Sequence, residues 1–124
     1  MTAAWSADEL ALLDSSHELE IAVWHDDGSR HPWTPIWVVS AEGQVYVRSW
    51  HRRHTGWFGR ALRERRARVR VPGLEAEVTI EDLGDSSAEV TAEVDAAYRA
   101  TYGAGAGSMV TQEAARTTLR LERA

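Results

Sequence analysis

The segment Arg48-Ser-Trp-His-Arg-Arg-His-Thr-Gly-Trp57 gathers the side chains of this chain best suited to holding an anion beside a flat ring. It reads as a strand end passing through a polar loop into a helix start, where free N–H groups and the helix dipole attract negative charge. Arg48, Arg52, Arg53 and Arg60 can grip a phosphate bidentately, and Ser49 and Thr55 can add hydroxyl donors. Trp50 or Trp57 can stack on a planar ring, and Gly56 closes the loop onto the helix. The same residues would also serve as a solvated basic loop.

Other chemistries find less support. His51-x-x-His54 lacks the adjacent glutamate of a zinc-hydrolase helix, and His25, His31, Asp26 and Asp27 belong to turns, so no dedicated metal site is expected. Gly103-x-Gly-x-Gly107 follows a helix instead of a strand and opens no dinucleotide-binding unit. Nothing marks a nucleophile elbow. Cysteine and lysine are both absent, which removes thiol nucleophiles, disulfides, Schiff bases and a phosphate-loop lysine. Tyr98 and Tyr102, one helical turn apart, can join Trp37 in lining a substrate pocket or can pack in a core or interface.

The setting of these residues is a chain of 124 residues, 44% hydrophobic and 27% charged, read as one globular domain over 1–124. Its formal charge is −5, yet residues 48–70 hold nine of its 14 arginines and a single acid, Glu64. A basic island in an acidic protein suits a local anion site better than a nucleic-acid surface, so no nucleic-acid partner is expected. The start has neither the basic region nor the apolar core of a signal peptide, and the longest apolar runs are too short to span a bilayer. The expectation is a cytoplasmic protein without a membrane partner. Six tryptophans stand against one phenylalanine. Such indoles offer broad flat surface to a core or to a planar ligand.

Periodicity supplies the elements. Ser6-x-x-Glu9 is a capping box for a helix to about Ser15, with Trp5 placed to staple onto Leu10. Leu19–Trp24 alternates as a strand, and the prolines at 32 and 35 mark an extended connector. Ile36–Ser40 reads as a strand buried on both faces, hairpinned through Glu42-Gly43 to a strand from Gln44 to Trp50. A helix follows from about Trp57 to Arg66, with Thr55 as cap, and a second hairpin joins 67–71 to 74–80 through Pro72-Gly73. That hairpin sets Arg68 opposite Glu77 and Arg70 opposite Glu75, so those two arginines are spent on ladder ion pairs. Ser86-x-x-Glu89 caps a helix that stops at Gly103, a flexible connector spans 103–108, and Arg116–Glu122 is the last strand. The fold class is therefore α+β: a six-stranded, mainly antiparallel split β-barrel with three helices. Such a barrel fills its own interior, which places any sizeable site on its outside or between two copies.

Trp37-Val-Val, Val45-Tyr-Val-Arg-Ser49, Trp57-Phe58, Asp95-Ala-Ala-Tyr-Arg-Ala-Thr-Tyr-Gly103 and Thr117-Thr-Leu-Arg-Leu121, in that order, carry a resemblance. The chain resembles a family of small uncharacterised bacterial proteins of the pyridoxamine-phosphate-oxidase-like split-barrel type, related to deazaflavin-dependent nitroreductases. The resemblance implies a homodimer with FMN or a deazaflavin at the interface, the cofactor phosphate lying at Arg48, Ser49, the 51–56 loop, Trp57 and Arg60. It also implies hydride transfer to a small planar substrate. The sequence departs from the enzymes in its loop, where Trp50, His51 and His54 are bulky. That departure supports the alternative of a cofactor-free small-molecule binder with a tryptophan-lined pocket.

Overall fold

A computed structural model describes residues 5–16, 18–24, 32–49 and 56–124. The elements run α1 (Ala7–Ser15), β1 (Glu18–Val23), β2 (Thr34–Ala41), β3 (Gln44–Val47), α2 (Gly56–Glu64), β4 (Arg66–Val71), β5 (Leu74–Asp82), α3 (Ala88–Tyr102), a 3₁₀ helix (Gly103–Met109), α4 (Gln112–Ala115) and β6 (Leu119–Arg123). All strand pairs are antiparallel and close into a barrel in the order β1-β2-β3-β6-β5-β4. Fold class and strand count agree with the sequence. Among the described residues no helix is long and apolar enough to cross a membrane.

Alternation divides each strand between two environments. Leu19, Ile21, Ile36, Val38, Val69 and Leu121 belong to the packed barrel interior, while Val39 and Tyr46 meet α3 on the outer side. β2 is therefore covered on both faces, as its apolar run implies. The capping box at α1 forms as its spacing dictates: Ser6 Oγ accepts from the Glu9 amide at 3.1 Å and Glu9 Oε1 from the Ser6 amide at 2.9 Å. Trp5 is buried at the mouth of the barrel and its Nε1–H donates to the Leu121 carbonyl at 3.0 Å.

The β4–β5 register also follows the sequence, with Arg68 across from Glu77 and Arg70 across from Glu75. Arg68 reaches both Glu75 and Glu77 at 2.6 Å. Arg70 instead turns to its other neighbour: its Nε lies 3.0 Å from Glu20 on β1, where Glu20 and Arg70 are register partners, and its guanidinium lies 4.0 Å from the Trp33 ring centroid. Barrel closure supplies this partner, which a hairpin taken alone cannot show.

Among the differences from the sequence reading, three concern the cap of α3, the stretch after Gly103 and the start of β2. The cap of α3 is Ser87, whose hydroxyl accepts from the Val90 amide at 3.2 Å, while Ser86 donates to the Leu83 carbonyl. The stretch after Gly103 is a 3₁₀ helix followed by the short α4, not a flexible connector. Gly103 itself adopts φ 57° and ψ −130°, a conformation that side chains oppose, so it stops α3 as expected.

The third difference concerns β2, which starts at Thr34 with Pro35 inside it. This strand changes partners along its length: residues 34–37 pair with β1 and residues 38–41 with β3. The N–H and C=O of Val38 are both taken by the Tyr102 hydroxyl, so they point away from β3. By strand parity Thr34 and Ile36 point the same way, toward β1, and Pro35 faces the side where β3 has ended. No ladder donor is required of it there, which is why a proline is tolerated.

Candidate functional site

The partner switch leaves backbone groups of β2 without a strand, and α3 fills the gap with tyrosine hydroxyls. Tyr102 accepts from the Val38 amide at 3.1 Å and donates to the Val38 carbonyl at 2.9 Å. Tyr98 donates to the Trp37 carbonyl at 3.1 Å and accepts from the Arg48 amide, standing between β2 and the end of β3. The next amide, that of Ser49, donates to Thr117 Oγ1 at 2.8 Å. The Tyr98 and Thr117 hydroxyls thus continue the hydrogen bonding of the β2–β3–β6 sheet past the point where its strands stop, while Tyr102 serves the opposite edge of β2. This is why β3 ends at Val47 and not at Trp50.

Arg48 sits at the centre of this seam with a fully buried side chain. Its Nη1 lies 2.5 Å from Asp95 Oδ1 and 2.8 Å from the Met109 carbonyl, and its Nε donates to Thr118 Oγ1 at 2.8 Å. Nη2 reaches the Thr91 carbonyl at 3.4 Å. A guanidinium so engaged ties β3 to α3, the 3₁₀ helix and the approach to β6. Its partners on α3, Thr91, Asp95 and Tyr98, belong to a helical stripe that Tyr102 continues, the four spaced four, three and four residues apart. That spacing was open to inspection in the sequence, although only its two tyrosines stand out as site candidates there.

Outside the seam lies a cavity of ≈ 570 Å³, within the range of small-molecule sites. It is lined by Glu18 from the start of β1, Thr34 to Trp37 of β2, Arg48 and Ser49, Trp57 of α2, and Ser108 with Met109 at the end of the 3₁₀ helix. Trp37 stacks on Tyr102 with centroids 4.4 Å apart and planes 8° from parallel, and Tyr102 in turn on Tyr98 at 5.8 Å. The Arg48 guanidinium lies 5.7 Å from the Tyr98 ring centroid. A continuous column of flat groups therefore runs from the cavity wall to the buried ion pair. Burial pushes the Tyr98 hydroxyl well above the usual phenol range; it also raises Tyr102 to about 12, with the nearby Glu18 carboxylate adding to the effect.

Of the residues singled out in the sequence, the structure brings Trp37, Arg48, Ser49 and Trp57 to this one cavity. Tyr98 and Tyr102 stand behind Trp37 instead of among the lining residues. Gly56 is the first residue of α2, and Arg60 lies on that helix with its Nε buried and unpartnered among the described atoms. Trp50, Arg52, Arg53 and Thr55 lie outside the described residues, as do all five histidines with Asp26 and Asp27. Sequence reasoning did not single out Glu18, Met109 or Asp95; the first two reach the cavity only through barrel closure and the 3₁₀ helix.

A closed six-stranded antiparallel barrel, with helices packed on its outside and ends, defines this chain as a split-barrel protein. Residues 9–121 match the family described as uncharacterised proteins conserved in bacteria (DUF2255), and the chain belongs to that family. Among solved structures, the heme storage protein HutZ from Vibrio cholerae superposes with a TM-score of 0.67 at 13% identity, covering 95% of this chain and 89% of that one. A FAD-binding protein from Mesorhizobium loti gives 0.65 at 14% identity, over 100% of this chain and 94% of that one. A NimC/NimA family protein from Clostridium acetobutylicum gives 0.58 at 15% identity, over 91% and 78%. At these identities the likeness is one of fold. None of the curated proteins matches the sequence significantly.

Proposed function

We propose that this protein binds a small planar molecule in the ≈ 570 Å³ cavity, and that the molecule is a flavin-type cofactor, FMN or a deazaflavin. The observation that carries the reading is the pair of indoles, Trp37 and Trp57, on the wall of a single cavity outside a filled barrel. Similarity of fold to a FAD-binding protein and to a heme storage protein supports it.

The lining fits a flat ring: two indoles, Pro35, Ile36 and Met109 supply apolar surface, and Ser49 and Ser108 supply hydroxyls at its margin. It fits a phosphate less directly, because the Arg48 guanidinium is committed to Asp95, Thr118 and the Met109 carbonyl. In this reading Ser49, the start of α2 at Gly56, and Arg52, Arg53 and Thr55 of the intervening segment hold the phosphate. Arg48 is a positioning residue that fixes the strand end. Bound there, a flavin would supply hydride transfer to a small planar substrate. The protein's own part is to stack on the ring, orient it and exclude water. Two copies would close the site between them, which light scattering of the purified protein can test.

The test is quenching of tryptophan fluorescence by FMN, FAD and a deazaflavin, with inorganic phosphate as competitor. Saturation at low micromolar ligand is expected, relieved by phosphate and weakened at least tenfold in Arg52→Ala/Arg53→Ala. Absence of saturable quenching by all three overturns the cofactor reading. The commitment of Arg48 favours one alternative: a cofactor-free pocket whose ligand carries no phosphate.

A further inference from the structure

From the residues on the wall of this cavity we infer that it selects a planar cation, a heteroaromatic ring bearing a positive nitrogen, with Glu18 as the residue that sets the charge preference. The inference rests on the second of the two readings above, a cofactor-free pocket whose ligand carries no phosphate, and it names the charge of that ligand.

Two described lining residues are of charged type, Glu18 and Arg48. Arg48 is neutralised locally by Asp95 at 2.5 Å, so it presents little net charge to an occupant. Glu18 is exposed, and among the described residues it makes no ion pair or hydrogen bond. Among the described lining residues, the charge left facing the cavity is therefore a carboxylate.

Its position is set by the sheet. Glu18 is the register partner of Trp37 across the β1–β2 ladder. Residues directly opposite on an antiparallel pair project from the same face with their Cβ atoms roughly 5 Å apart. Carboxylate and indole thus stand side by side at one end of the cavity. Tyr102 covers one face of that indole, so its other face and its edge are what an occupant meets. A positive nitrogen there satisfies both neighbours at once: the carboxylate by Coulomb attraction, the indole through its quadrupole. A carboxylate-bearing occupant would face Glu18 at close range. The remaining wall, Pro35, Ile36, Trp57 and Met109, suits the flat apolar body of such a ring.

Isothermal titration calorimetry with N-methylquinolinium and with quinoline at pH 8, where quinoline is uncharged, isolates the charge at nearly constant shape. The cation is expected to bind about tenfold more tightly than the neutral ring, in line with a desolvated cation–π contact assisted by a carboxylate. In Glu18→Gln the two should bind equally, with the affinity for quinoline unchanged. Because Glu18 is exposed, this variant should keep the wild-type circular dichroism spectrum and melting temperature. Equal affinities in the wild type, or a preference that survives in Glu18→Gln, overturn the inference while leaving a ligand cavity in place. Failure of both probes alongside saturable flavin binding overturns it and leaves the cofactor reading standing. If neither probe nor any flavin binds, both readings fall.

Discussion

Replacing Arg48 by Met should cost about 3–5 kcal/mol of stability, the range for removing one partner of a buried ion pair. Its side chain is wholly buried and that of Asp95 is 20% exposed, so the carboxylate left behind has little water to turn to. Thr118 Oγ1 and the Met109 carbonyl lose their donor in the same stroke. Urea denaturation with an unchanged m-value would read the loss directly. A second substitution separates the causes. If the cost is mainly an orphaned carboxylate, Arg48→Met combined with Asp95→Leu should be far less damaging than the two single losses summed, with a coupling at the upper end of the usual range of about 0.5–3 kcal/mol. An Arg48→Met protein of wild-type stability that had lost its ligand would make Arg48 a ligand-holding residue and overturn the structural account.

This result bears on how much of the molecule its sequence reveals. Elements set by local pattern came through: the α1 capping box, the β2–β3 hairpin, and the facing of Arg68 with Glu77 are consequences of spacings a few residues long. The barrel class followed from the number of strands in a short chain. What stayed hidden depends on contacts between distant parts of the chain. Arg48 sits in the most basic stretch of the sequence and invites a role in anion binding. Its partners Asp95, Met109 and Thr118 lie 47 to 70 residues away and meet it only when α3 crosses β2. Arg70 likewise took Glu20, 50 residues distant, over the partner its hairpin offered. Glu18 has no local signature at all; it becomes a site residue because its register places it beside Trp37. Charge counted along the chain therefore does not show that Arg48, on the cavity wall, is already paired with Asp95, nor that Glu18 joins that wall.

Between pH 10 and about 12 the protein should lose stability in a way traceable to two residues of α3. The chain has no lysine and no cysteine, and its arginines remain protonated, so its three tyrosines are the side chains available to titrate in that interval. Tyr102 is held protonated up to about 12 chiefly by burial, and burial raises Tyr98 also. The folded state then binds more protons than the unfolded chain, whose tyrosines ionise near 10. Stability is consequently full below pH 10 and falls as the pH rises toward 12. The cost has a structural meaning, because a phenolate cannot donate to the Trp37 and Val38 carbonyls that these hydroxyls seal. Tyr98→Phe should lose about 1–3 kcal/mol at pH 8, since it strands a buried carbonyl and the Arg48 amide. Tyr102→Phe should lose less, its ring being only partly buried. Urea midpoints of wild type and both variants, measured from pH 8 to 12, decide the matter: each phenylalanine should lower stability at pH 8 and flatten its fall above pH 10. A wild-type midpoint that stays level to pH 12 would show that the hydroxyls do not bridge the sheet where β2 changes partners.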